Sequence, residues 1–454
     1  MKRYETYKDS GAEWIGDIPE NWGSTSLKYF AKTFGRIGYR GYTVNDIVIE
    51  GEGAISLSPS NINNQKLVFE KRTFISWDKY EESPEIKIYE GDVVLVKTAS
   101  VGKVTIIDNL KGYKATINPQ LVVFKDIEID RIYFYYVLIS DVIQKLIESE
   151  TNGGVVGTLT QQSINNYKFP LPSPQEQTQI AAYLDYKTGL IDSIIAQKED
   201  LIKKLKEQRQ AIINEAVTKG LNPDVKLKDS GIEWLGDIPE HWEVVKFRYK
   251  FDTTKGLTIT KANLQDEGIP CVNYGEIHSK YGFEVNPEVH NLKYVSEGYI
   301  ETNKGSLLSK GDFVFADTSE DIEGAGNFTH LNSDVPTFAG YHTIIARLKD
   351  NSDFRFIAYF MDSSSYRTQI QNLVKGVKVY SITNKILKDT VLFFPPEEEQ
   401  KDIAEYIDNK VTKIFMSTEK LEKSIQKIKE YRQSLISEAV TGKVDVRDWQ
   451  APKS

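Results

Sequence analysis

"KDSGAEWIGDIPENW" at residues 8–22 returns as "KDSGIEWLGDIPEHW" at residues 228–242. Only Ala12/Ile232, Ile15/Leu235 and Asn21/His241 differ between the two. The echo extends outward. "EQTQIAAYLD" (176–185) is answered by "EQKDIAEYID" (399–408), and "EQRQAIINEAVT" (207–218) by "EYRQSLISEAVT" (430–441), both 223 residues on. Weaker echoes link "YEGDVV" (89–94) with "SKGDFV" (309–314) and "FPLPSPQEQ" (169–177) with "LFFPPEEEQ" (392–400). A period this long marks a duplicated domain pair and not a stacked solenoid. The ends of the copies match while residues 30–150 and 250–370 scarcely align, so one scaffold carries two diverged middles.

The composition fits that layout. A chain of 454 residues exceeds one ordinary core, and 40% hydrophobic with 27% charged residues describes a soluble globular protein. The opening "MKRYETYKDS" lacks an apolar segment, and the run "IYFYYVLI" (132–139) is too short to span a bilayer. A single cysteine, Cys271, excludes a disulfide framework or a multi-cysteine zinc site. The cytoplasm is the expected compartment. A net charge of -8 argues against nucleic-acid binding at first sight. Net charge is global, however, whereas counterion release depends on the Lys and Arg that lie near phosphates.

The matching ends read as long helices. Ser173, Pro174 and Glu176 form a capping-box start with proline at the first turn. Ile180, Leu184, Lys187, Ile191, Ile194, Lys198, Leu201, Leu205, Gln208 and Ile212 then recur at heptad spacing, with Gly220 and Pro223 as the stop. The second copy runs Ile403, Ile407, Lys410, Ile414, Ser417, Leu421, Ser424, Ile428, Tyr431 and Leu435. Neither stripe can be buried alone, so the two helices are expected to pair antiparallel. The alternative is that each packs on its own globular domain. Four of the six tryptophans, Trp14, Trp22, Trp234 and Trp242, fall in the duplicated phrase. Each phrase is expected to act as a belt tying its domain to the helices.

The middles are rich in short β-type runs such as "DVVLVKTAS" and "YHTIIARLK", which fits a mixed α/β domain in each copy. "IDRIYFYYVLISDVIQKLIES" and "FRFIAYFMDSSSYRTQIQNLV" each read as one amphipathic helix. Between these elements lie loops that combine hydrogen-bond donors, small residues and aromatics, a mixture suited to phosphates and base edges. In the first copy the candidates are Arg36, Tyr39 and Arg40, then Ser58, Ser60 and Asn61, then Lys97, Thr98, Ser100 and Lys103, then Asn118 and Gln120. In the second they are Asn273, Tyr274, Lys280, Thr318, Lys375, Lys378 and Tyr380, with no clear counterpart of "SLSPSNI" (56–62).

Catalytic signatures are missing. "INPQ" has one proline and "FFPPEE" lacks the polar residue of the Asn/Asp-Pro-Pro-aromatic motif of adenine methylation. "SVGKVT" lacks the first glycine of a phosphate loop, and neither "GEGAIS" nor "EGAGNF" matches a dinucleotide loop. The five histidines show no metal-ligand spacing. The chain reads as a binder with no catalytic residue and no metal site.

The doubled "SG(A/I)EW(I/L)GDIPE(N/H)W", the "EQ..IA.YLD" motif and the "EAVT" helix ends together resemble the specificity subunit of type I restriction–modification systems, over nearly the whole chain. The resemblance implies an α+β (mixed α/β) fold with two pseudo-two-fold related target-recognition domains, separated by two long helices packed as an antiparallel coiled coil. The expected boundaries are 1–172 and 228–394 for the two recognition domains. Residues 173–220 and 395–443 are the helices, 221–227 a linker and 444–454 a tail. The implied function is to read a bipartite, asymmetric double-stranded DNA site, one half per domain, with the helices as spacer and as platform for two methyltransferase subunits. No cofactor is expected in this chain. S-adenosylmethionine, ATP and Mg would sit on the methyltransferase and restriction subunits, and adenine N6 would be the methylated atom. The rival reading is a coiled-coil protein-binding adaptor with no DNA sequence preference.

Overall fold

The computed structural model describes residues 2–36, 38, 41–151, 157–232, 236–374 and 379–452. The chain forms two compact units, Met1–Glu199 with Glu422–Ser454, and Asp200–Leu421. Both long helices are present, Pro174–Lys219 and Glu397–Val440, and each contributes one half to either unit. The capping box at the first is formed: the Ser173 hydroxyl donates to Glu176 Oε2 at 2.9 Å, and Glu176 N–H reaches back to Ser173 Oγ.

Within each unit the two half-helices run antiparallel. In the first, Arg432 Nε donates to Asp192 Oδ1 at 2.9 Å and Lys429 lies 4.0 Å from Glu199. In the second, Ile213, Ala216 and Val217 share a core with Ile403, Ala404 and Ile407. The buried stripe keeps Ile191 and takes in Thr188 and Ile195, whereas the expected seam members Ile194 and Leu201 are exposed. The second helix likewise buries Ile425 and leaves Tyr431 outside. The globular domains cause this turn of one residue. Thr188 Oγ1 bonds the Tyr136 hydroxyl at 2.9 Å, Arg209 donates to Asp362 at 2.8 Å, and Gln433 donates to the Ile139 carbonyl at 2.8 Å. The helices thus pack on each other and on the domains together, so the two packing alternatives are not exclusive.

The two middles share one topology. In the first unit, strands 104–106, 93–96, 121–125 and 32–35 form an antiparallel sheet, in that order. A second sheet orders 87–88, 115–117, 53–57, 74–76 and 47–48, with 115–117 parallel to 53–57. In the second unit the antiparallel sheet orders 251–255, 343–348, 313–316 and 328–331, with 284–285 added on the outside parallel to 328–331. Its other sheet orders 293–295, 269–272, 337–339 and 307–308, again with one parallel pair, 269–272 and 337–339. Side chains between the sheets close each core: Ile55, Val94, Ile117 and Val123 in the first, Val272, Val314, Ala339 and Ile345 in the second.

Each expected single helix is broken in two, into Arg131–Ile139 and Asp141–Thr151, and into Phe354–Asp362 and Ser364–Leu373. Ser140 and Ser363 cause the break. Both are extended, both hydroxyls bond back to a carbonyl three residues earlier (Val137, 2.7 Å; Phe360, 2.6 Å), and Ser363 then caps the next helix at Tyr366 N–H.

The duplicated phrase folds the same way twice. Tyr7–Asp9 pairs with Asp17–Pro19, and Leu227–Asp229 with Asp237–Pro239. Ile18 and Trp22, like Ile238 and Trp242, are buried, whereas Trp14 is 42% exposed and so is not a core clamp. Trp234 lies outside the described residues. In the first unit the phrase is anchored on the opening of the first long helix and the end of the second. Trp22 Nε1 donates to Glu176, and the Tyr7 hydroxyl donates to the carbonyl of Gly442 just past Val440. The chain ends meet there too: Asp445 N–H donates to the Lys2 carbonyl at 2.9 Å.

Candidate nucleic-acid interface

Three loops converge where the parallel pairs 53–57/115–117 and 269–272/337–339 end. In the first unit, Asn118 N–H donates to the Leu57 carbonyl at 2.8 Å, Lys97 N–H to the Gln120 carbonyl at 2.8 Å, and Leu159 N–H to the Lys97 carbonyl at 2.9 Å. In the second, Gly340 N–H donates to Val272, Asp317 N–H to His342 and Ile382 N–H to Asp317, at 2.8, 3.0 and 2.8 Å. The bonding patterns match residue for residue, so Lys97 corresponds to Asp317, Gln120 to His342, and Thr98 to Thr318. Both frames hold a non-glycine residue in the left-handed region, Ala99 (φ 70°) and His342 (φ 55°), an uncommon backbone state that clusters at functional sites.

The first loop of each frame is built by one device. Ser58 opens a short 3-10 turn and its N–H and hydroxyl meet Asn61 Oδ1 at 2.9 and 3.1 Å. Asn273 opens the helix Tyr274–Ser279 and its N–H meets Glu276 Oε2 at 3.1 Å. Residues 271–277, "CVNYGEI", are therefore the counterpart of "SLSPSNI" that the sequence did not reveal, because the reciprocal cap is made with different residue types.

Several expected DNA contacts are brought together here, Ser58, Ser60, Lys97, Thr98, Ser100 and Gln120 in the first unit and Tyr274 and Thr318 in the second, whereas Asn118 and Asn273 lie at the same place but are buried, their amides bonded to Gln120 and Glu276. Tyr380 joins them, since 380–381 pairs with 318–319. Lys103 is exposed at the far side of the 97–103 loop. Others are corrected. Arg36 is buried, with Nε on the Ile117 carbonyl at 3.0 Å and a terminal nitrogen on Thr116 Oγ1 at 3.1 Å, and burial lowers its pKa. Asn61 is buried too, its amide spent on the Val68 and Lys71 carbonyls. Both residues shape the loops from behind. Lys280 faces a separate groove with Asp266, Glu276 and Lys293. Tyr39, Arg40, Lys375 and Lys378 lie outside the described residues.

The electrostatics of the two frames differ. Lys97 is partly buried, desolvation lowers its pKa, and no acidic group acts on it among the described residues. At the corresponding place Asp317 Oδ1 lies 3.1 Å from His342 Nδ1. Sequence reading passed over both members of that pair. The signal was present in "TFAGYHT" (337–343) set against "ATINPQL" (115–121), a register visible only once the strands are paired. Beside Asp317 a cleft of ≈ 740 Å³ is lined by Tyr274, His278, Thr318, Asp321 and Asn327 among others. Its walls are fixed: Asn327 donates to His278 Nδ1 at 2.8 Å, and His278 Nε2 donates to the Thr318 carbonyl at 2.8 Å. Among the described residues no group of three or more His, Cys, Asp or Glu could hold a metal ion, and no helix is long and apolar enough to cross a membrane.

Comparison with known proteins places this geometry. The sequence profile described as "Type I restriction modification DNA specificity domain" matches residues 31–204 and again 239–427. The MjaVIII type I restriction enzyme specificity subunit of Methanocaldococcus jannaschii is 25% identical, covering 80% of this chain and 81% of its own. A putative specificity subunit, MjaX, of the same organism is 25% identical over 95% of this chain and 96% of its own. A solved chain from a study of complex assembly and conformational transition of the type I R-M system shares the fold. Its TM-score is 0.67 at 16% identity, over 94% of this chain and 99% of that one. None of these matches supports a coiled-coil adaptor.

Proposed function

The chain belongs to the type I restriction modification DNA specificity domain family, and on that footing we propose that it is the non-catalytic sequence reader of a DNA-modifying assembly. One observation carries the reading: a single loop frame, built twice, presents unlike side chains at corresponding positions. A duplicated binder with identical loops would recognise a symmetric target. Two frames that differ at their tips recognise an asymmetric, bipartite target. Polar loop residues such as Thr98 and Thr318 supply contacts to double-stranded DNA.

The partners are two methyltransferase subunits and, in a full restriction system, restriction subunits. Apolar side chains on the long helices suit the former. Leu190, Ile194 and Tyr431 in the first unit, and Leu201, Phe415 and Met416 in the second, are all more than 40% exposed. S-adenosylmethionine, ATP and Mg belong to those partners, and the methylated atom is adenine N6. The helices serve as spacer and platform, and the assembly works in the cytoplasm.

The test is a domain exchange. Residues 30–170 are replaced by the corresponding stretch of another family member, and adenine methylation is sequenced in cells that also express the methyltransferase. One half of the methylated motif should change and the other persist. A motif unchanged in both halves, or methylation without sequence preference, contradicts the reading.

A further inference from the structure

We propose that positions 97 and 317, each with its neighbour at 120 and 342, are the specificity-determining pairs of the two readers, and that their inverted charge makes the readers demand opposite base-edge chemistry. The inference rests on the proposed reading of DNA and goes further by assigning the discriminating residues. Backbone bonding fixes the correspondence: Lys97 and Asp317 each donate N–H to the carbonyl of the neighbour and each accept from the segment leading into the next helix. Residues so constrained present their side chains from the same place in each frame, so the difference between them is chemical and not positional.

An ammonium group has donors and no acceptor, whereas a carboxylate has acceptors and no donor. Lys97 therefore fits base edges that offer acceptors in the major groove, foremost guanine O6 and N7. Its partial burial without an acidic partner among the described residues suits it to an acceptor from outside the chain. Gln120 stands beside it, its side-chain oxygen already taken by the Asn118 amide at 3.0 Å. Asp317 fits base edges that offer an amino group, cytosine N4 or adenine N6. His342 lies against its Oδ1, and Tyr274 packs on the His342 ring at 5.3 Å between centroids. The carboxylate is thus held at 32% side-chain exposure, open to a ligand on one side.

The experiment uses the complex of the full chain with its methyltransferase subunits and sequences adenine methylation for the parent and for Lys97→Gln and Asp317→Asn. The first should relax one position in one half of the motif, the second one position in the other half. Each should cost roughly ten-fold or more in discrimination at that position. Gln120→Ala and His342→Ala leave in place the backbone carbonyls that hold the loops, and they should weaken the same two positions. An unaltered motif in all four variants overturns the inference. So does a uniform loss of methylation at every site, the mark of a phosphate contact. If the parent complex itself methylates no bipartite motif, the failure lies with the underlying functional reading instead.

Discussion

Trp22 donates its indole Nε1–H to Glu176 Oε1 at 3.2 Å inside the first unit, and Trp242 repeats the bond to Glu399 at 3.1 Å inside the second. The duplicated phrase and the "EQ" of the helix start are thus two halves of one joint. Trp22→Phe keeps an apolar ring but removes one donor from a buried carboxylate that retains Tyr4 and Ser173, at a cost of about 1 kcal/mol. Trp242→Phe should act alike on the second unit. Chemical denaturation followed by a probe in each unit checks this, and equal effects of either substitution on both units would contradict the pairing.

Gly442 follows the second helix in the left-handed region (φ 71°), and a Cβ there would stand 2.4 Å from Pro19 and 3.2 Å from Trp22. Gly220 has φ 73° with its nearest atoms at 3.1 and 3.3 Å, on Glu399 and Trp242. Gly442→Ala therefore adds a clash with a rigid ring to the backbone strain of about 1–3 kcal/mol. It should lower the melting temperature more than Gly220→Ala, where only a flexible carboxylate and a ring edge must yield. The reverse order in calorimetry would show that the phrase moves aside.

Arg355 binds Asp408 of the second long helix through Nε at 3.0 Å and a terminal nitrogen at 2.7 Å, and also contacts Glu284. The Tyr359 hydroxyl also donates to Asp408, as the Tyr136 hydroxyl does to Asp185 in the first unit at 2.8 Å, so the arginine is an addition of the second unit. Arg355→Leu removes the charged donor of both carboxylates, leaving Asp408 with the Tyr359 hydroxyl and Glu284 with the Asn332 amide, and should destabilise the second unit by roughly 1–3 kcal/mol. Urea titration of the full chain reads it, and a change below about 0.5 kcal/mol, the size of an ordinary surface substitution, would rule out the lock.

His330 stands beside that arginine, fully buried, with Nδ1 donating to the Phe283 carbonyl at 2.7 Å. Burial, and next the Arg355 charge, push its pKa down to about 4. Between about 6.5 and 4 the unfolded chain therefore binds a proton that the folded unit refuses, so stability falls as pH drops through that window. His330→Phe should flatten this slope in melting temperature against pH. A slope unchanged by the substitution would assign the acid sensitivity elsewhere.

Affinity of the isolated chain for DNA should be weak and fall steeply with salt, because a net charge of -8 leaves only local cations to displace counterions. Adding methyltransferase subunits should strengthen it by roughly ten-fold or more, as further phosphate contacts are made. Fluorescence anisotropy across a salt series measures both, and equal affinity with and without the subunits would contradict the division of labour.

The repeat, the caps and the long helices were legible because each rests on local chemistry: Ser173 with Glu176, or the heptad core members Ile191 and Leu435. The kinship of the two middles was not. Strands such as 115–117 and 337–339 are three residues long, too short for a period of two to register, and a sheet accepts any apolar residue that faces the core. The seam slipped by one residue because Tyr136 and Asp362 turn the helices from outside. Among the binding candidates, Arg36 looked like a loop donor and proved to be internal, since sequence shows charge but not depth. Asp317 and His342 were invisible as a pair because only strand register brings them together.

The first unit is discontinuous, with residues 422–454 completing what residues 1–199 begin. During synthesis, therefore, the nascent amino-terminal reader leaves the ribosome without the strip that bonds Tyr7, Asp141 and Asp192. It waits while 222 intervening residues are translated, roughly 10–45 s at 5–20 residues per second. Over that interval Ile180, Leu184 and Ile191 have no long-helix partner to cover them, a vulnerability to chaperone capture and misassembly that the contiguous second unit does not share.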